Sequence, residues 1–99
     1  MARNSVLGRF AANAQARRSA AGLSMEQLAY RASLHRTEVE VILRGERNVT
    51  LMTLVKLCGA LEVTPDELFD GLSWNPPPPI PTGELRVLPD GEARTAPGG

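Results

Sequence analysis

The residues with the most chemistry to offer gather in one stretch, SLHRTEVEVILRG from Ser33 to Gly45, with Arg47 and Asn48 just beyond it. Arg36, Arg44 and Arg47 each carry a planar fork of N–H donors, which suits a carboxylate, a phosphate or a purine edge. Ten of the eleven basic residues in the chain are arginine. Catalysis has no comparable set. Cys58 is the only cysteine and has no base near it in sequence, and His35 is the only histidine and has no evident orienting partner. One cysteine and one histidine fit no zinc spacing and exclude an internal disulfide. A glycine-rich phosphate loop is also missing. The chain is therefore expected to bind rather than catalyse, with no cofactor and no metal.

Something must hold that stretch. Leu7, Phe10, Ala11, Ala14, Arg18 and Ala21 recur at i, i+3, i+4 spacing and predict a first helix, with Gly22 as its stop. Ser24 followed three residues later by Gln27 is a capping box, which opens a second helix running to about Ala32. A third starts near His35 or Arg36 and stops at Gly45. Thr50 caps a fourth, LMTLVKLCGAL, with Leu51, Leu54, Val55, Cys58 and Leu61 expected on one buried face. Thr64-Pro65-Asp66-Glu67 opens a short fifth helix holding Leu68 and Phe69, with proline at the first helical position and acids in the first turn. No strand is expected before Trp74. Two helices of about eight residues joined by a three-residue turn make a helix-turn-helix. Ala29 is small at the crossing, Leu28 and Leu34 flank the turn, and Val39 and Ile42 face inward.

At 99 residues the chain is one small domain with a thin core. Composition changes after Trp74, with seven of the eight prolines beyond it. The expected division is a folded domain over 1–74 and a Pro/Gly-rich tail over 75–99. Pro76–Pro79 predicts an extended spacer, Leu85, Val87 and Leu88 a short strand at 84–88, Pro89-Asp90-Gly91 a turn, and TAPGG a disordered end. Net charge is zero, but unevenly spread. Eight arginines against four glutamates leave +4 over 1–48, and Lys56 against four acids leaves −3 over 49–74. No run reaches the roughly 18 apolar residues of a membrane span, and the first residues do not read as a signal peptide. A cytoplasmic protein without membrane contact is expected.

The spaced positions Gly22-Leu23-Ser24, Leu28-Ala29, Val39, Ile42, Arg44-Gly45, Leu54, Leu61, Val63-Thr64 and Leu68 resemble the phage-repressor and Cro type of helix-turn-helix. That group includes the xenobiotic-response-element-type bacterial regulators, and the resemblance covers about Leu7 to Leu72. It implies an all-α, compact five-helix lambda-repressor-like DNA-binding domain. It also implies a transcriptional regulator, a homodimeric repressor-type protein on a palindromic operator whose half-sites lie roughly 34 Å apart. By the same resemblance the third helix enters the major groove, and His35, Arg36, Thr37 and Val41 are the base-edge candidates. Arg36 could fork onto guanine O6 and N7, the methyls of Thr37 and Val41 could meet a thymine methyl, and Glu40 could accept from cytosine N4. Phosphate candidates are Arg44, Arg47 and Asn48, together with the second-helix N-terminus at Ser24 and Met25. Arg17 and Arg18 could assist. Leu72 and Trp74 are candidates for the dimer interface.

Three positions depart from the family pattern. Met25 stands where a glutamine often anchors phosphate. Leu43 stands where a glutamate often pairs with a first-helix arginine, which leaves Arg18 without that partner. Ser33 stands where the turn often has glycine. An alternative function is a protein-interaction module, antitoxin-like or anti-activator, on the same scaffold without specific DNA binding. Its partner would dock on the tail by strand addition at Leu85–Leu88 or on the proline run.

Overall fold

A computed structural model of the protein describes residues 5–76 and 84–87. The order is α1 (Ser5–Ala20), α2 (Met25–Ala32), α3 (Arg36–Leu43), α4 (Leu51–Leu61), α5 (Pro65–Leu68), β1 (Leu72–Asn75) and β2 (Glu84–Val87). The five expected helices form, and their starts are set locally. Ser24 closes its box with Gln27: the Gln27 N–H donates to Ser24 Oγ at 3.0 Å, and the Ser24 N–H donates to Gln27 Oε1 at 2.8 Å. Thr50 Oγ1 accepts from the Thr53 N–H at 3.1 Å. Glu67 accepts from the Thr64 N–H at 3.1 Å, and Pro65 supplies the fixed φ of the first turn. Such caps each contribute about 1 kcal/mol.

One core joins the helices, with Leu28, Val39, Ile42, Leu57 and Leu68 as its largest fully enclosed side chains. Phe10, Ala14, Leu43, Leu54 and Leu61 complete it. α4 differs from the expected orientation. Leu54, Cys58 and Leu61 are buried along with Thr53, Leu57 and Ala60. Leu51 and Val55, however, are exposed beside Met52. α4 is apolar nearly all round, so periodicity alone could not select its inward face. Burial pushes the Cys58 thiol above its ordinary value, and Asp66 and Glu67 push it the same way. The thiol therefore stays protonated at neutral pH. Stability falls as the pH rises from the thiol's ordinary value towards the raised folded-state value, and is unaffected by this group below that window.

α1 is fixed at both ends of the domain. The Asn13 amide donates to the carbonyls of Leu68 and Asp70, each at 2.9 Å, and so anchors the end of α5. At the far end Gly45 comes against α1 without a side chain between them. A Cβ on Gly45 would stand 3.1 Å from Gly8 Cα and 3.3 Å from the Leu7 carbonyl oxygen, and Gly45 itself has φ +74°.

A strand pair is added to the helical domain. β1 and β2 are antiparallel, with Leu72 opposite Val87 and Trp74 opposite Leu85, and β2 lies against α1. β1 starts before Trp74, contrary to expectation. Four residues, LSWN, are too few to show a strand period in sequence. Pro77–Pro79, Leu88, the Pro89–Gly91 turn and the final TAPGG lie outside the described residues.

Candidate nucleic-acid interface

Between α2 and α3 the chain turns through Ser33, Leu34 and His35. Ser33 takes a left-handed conformation, φ 54° and ψ 46°, and its N–H donates to the Tyr30 carbonyl at 3.1 Å. A serine accepts this conformation at a cost of about 1 kcal/mol relative to glycine. The Leu34 N–H donates to the Ala29 carbonyl at 2.9 Å, which completes the helix stop. Ala29, buried at 4% exposure, lets the two helices close on each other. His35 caps α3, its Nδ1 accepting from the Thr37 N–H at 3.2 Å. That bond leaves Nε2 as the ring's only other polar atom.

Packing then fixes the face that α3 presents. Val39, Ile42 and Leu43 are buried, so His35, Arg36 and Thr37 are exposed, while Val41, Glu38 and Glu40 are half-buried. The four base-edge candidates thus share the first two turns of one helix on its outward side. Arg44, Arg47 and Asn48 are exposed in the segment that follows. The Met25 side chain is half-buried and packs against the core, so the polar group it brings to this surface is its backbone N–H. The Met25 and Glu26 N–H groups belong to the first turn of α2, which has no carbonyl one turn back to accept them.

The positive charge here is not bare. Arg36 Nη1 lies 3.3 Å from Glu26 Oε2, and Arg36 Nε lies 3.0 Å from Glu40 Oε2. Arg44 Nε lies 3.3 Å from Glu46 Oε1. Exposed pairs of this kind contribute about 0–1 kcal/mol to stability, so their effect is on where the guanidinium points. Glu26 is a partner that sequence spacing does not reveal. It lies ten residues from Arg36, and only the crossing of α2 on α3 brings the two together. No local periodicity signals such a pair.

Other arginines are engaged elsewhere. Leu43 is buried, as an apolar replacement at that position should be. Arg18 takes other partners, donating to Gln15 Oε1 at 2.9 Å and to the Leu23 carbonyl at 2.6 Å. Arg17 lies 3.9 Å from Glu67. Arg31 donates to the Ala60 carbonyl at 2.9 Å and to Glu62 at 3.0 Å, which ties α2 to the end of α4. Of the dimer candidates, Leu72 packs partly on the core, whereas Trp74 is 55% exposed opposite an equally exposed Leu85. Among the described residues, no helix is long and apolar enough to cross a membrane.

A helix-turn-helix domain family matches residues 9–70. The chain is 45% identical over 56 residues to the control protein C.BamHI of Bacillus amyloliquefaciens, a match spanning 57% of this chain and 69% of that protein. It is also 45% identical over 59 residues to the control protein C.SmaI of Serratia marcescens, spanning 60% of this chain and 70% of that protein. Among solved structures, the restriction-modification controller protein C.AhdI from Aeromonas hydrophila superposes with a TM-score of 0.65 at 41% identity. That match covers 67% of this chain and all of the controller. The shared part is the helical domain that presents α3, and on that ground the chain belongs to the helix-turn-helix domain family.

Proposed function

We propose that the protein is a sequence-specific DNA-binding transcriptional regulator, a homodimer that reads a palindromic operator through the start of α3. The observation that carries this is the rigid presentation of Arg36 and Thr37. Both are exposed on a helix whose opposite face is locked by Val39, Ile42 and Leu43. His35 and Val41 flank them toward the bases. The N–H groups at the start of α2, next to Ser24 and Met25, and the side chains of Arg44, Arg47 and Asn48 take phosphate. The family relationship supports a regulator rather than an enzyme. The relatives' role as restriction-modification controllers supports assigning this chain to the control of such genes. A regulator of this kind works in the cytoplasm, and residues 1–74 are read as its working domain, with 75–99 as an appendage.

The test is a titration against a duplex enriched by the wild-type protein from a random-sequence library, beside a scrambled duplex of equal length. Specific binding is expected, with log K falling against log salt at a slope of roughly −3 to −4 if two arginines from each protomer reach phosphate. Equal affinity for both duplexes at every salt concentration overturns the reading. It would leave the interaction-module alternative, which the carboxylates around Arg36 favour. In that alternative a partner strand adds to the edge of β2 that β1 does not occupy.

For the dimer, Trp74 is the stronger candidate, because it is 55% exposed whereas Leu72 packs partly on the core. Trp74→Ser is expected to weaken self-association by about 30-fold or more in sedimentation equilibrium, the scale of a buried tryptophan anchor. Helical circular dichroism should be retained. An unchanged association constant would remove Trp74 from the interface.

A further inference from the structure

A guanidinium has two edges able to make a paired contact, the Nε/Nη2 side and the Nη1/Nη2 end. In Arg36, Glu40 holds Nε at 3.0 Å and Glu26 holds Nη1 at 3.3 Å. The two carboxylates therefore do different things to the same side chain. The Glu40 contact takes one edge and leaves the end fork free to meet guanine O6 and N7. The Glu26 contact sits on a nitrogen of that end fork and competes with the base.

Position sharpens the contrast. Glu40 is one helical turn from Arg36 on α3, with its side chain 35% exposed. The Glu26 side chain is 74% exposed and reaches across from α2. The Glu40 contact is thus the shorter and the more enclosed of the two, and the Glu26 contact the longer and the more exposed. Glu26 also sits in the first turn of α2, beside the N–H groups that would receive a phosphate. A carboxylate there repels the incoming backbone whatever the base sequence.

The geometry points to Glu40 as a positioning residue that aims Arg36 at the base, and to Glu26 as a competing latch that must release before Arg36 reads. This rests on the reading of α3 as the DNA-facing helix. Glu40 thereby raises discrimination between sites, and Glu26 lowers affinity for all of them.

The experiment uses the full chain and fluorescence anisotropy on the wild-type-enriched duplex and its scrambled counterpart. Glu40→Gln is expected to lower the ratio of the two affinities by about three- to tenfold, part of the discrimination of one paired contact. That loss should vanish in an Arg36→Ala background. Glu26→Gln is expected to tighten both duplexes by about two- to fivefold, with the ratio kept or raised, and more strongly at low salt. Neither glutamate is buried, so an unchanged melting transition separates these effects from misfolding. A ratio unaffected by Glu40→Gln, or an effect that persists without Arg36, overturns the positioning role. Affinity that falls on Glu26→Gln overturns the latch. If the wild type distinguishes no duplex at all, the DNA-reading proposal fails and takes both roles with it.

Discussion

Gly45→Ala is expected to destabilise the domain by about 2–5 kcal/mol, read as a lower denaturant midpoint at unchanged slope. Two costs combine. A side chain at φ +74° is strained by about 1–2 kcal/mol. The new methyl would also stand 3.1 Å from Gly8 Cα and 3.3 Å from the Leu7 carbonyl oxygen. These are backbone atoms of α1 that cannot rotate aside, and crowding of this kind costs about 1–3 kcal/mol. Gly22 is the control. Its φ is +69°, but a Cβ there meets nothing within 4 Å. Gly22→Ala should cost only the conformational part, about 1 kcal/mol. If the two substitutions prove equal, the close approach of α3's end to α1 is not what Gly45 serves.

Arg36→Ala is expected to remove about 10- to 100-fold of discrimination per half-site between the selected and the scrambled duplex, the scale of one paired arginine–guanine contact. Affinity for the scrambled duplex should move far less. Arg36→Lys keeps the charge but loses the planar fork, so it should restore scrambled-duplex affinity without restoring discrimination. Removing Arg36 also leaves Glu26 and Glu40 without their partner at a surface that approaches phosphate. The alanine variant therefore overstates the value of the base contact, and Arg36→Ala with Glu26→Gln corrects for it. Equal weakening on both duplexes would make Arg36 a phosphate contact. The melting transition should hold, because Arg36 is exposed.

Much of this architecture is legible in the sequence because its punctuation is local. Ser24 with Gln27, Thr50, Pro65 and the glycines at 22 and 45 each act within one turn of helix, and each does in the structure what its type requires. The outward face of α3 is legible for the same reason, since Val39 and Ile42 have no other place to go. Leu51 and Val55 are not legible. In a helix apolar on every side, the inward direction is decided by the neighbouring helices, not by the helix itself. Arg18 shows a second limit. Leu43 correctly signals an absent ion pair, but the carbonyl of Leu23 that replaces it is a backbone group with no residue type to announce it. The contact of Arg36 with Glu26 is hidden in the same way, because it exists only once α2 and α3 have crossed.

The strand pair has a consequence for how the chain assembles. The contacts of α2 with α3 and α4 join neighbouring segments, whereas α1 reaches the end of α5 across 55 residues, from Asn13 to the Leu68 carbonyl. The approach of β2 to α1 joins the last described strand to the first helix, across nearly the whole described chain. Closing so long a loop is entropically later and slower, and four-residue strands add few hydrogen bonds to oppose reopening. The hairpin is thus a late-forming, early-opening unit laid over the helical core. Opening it exposes one flank of α1, while α2 and α3 keep their packing.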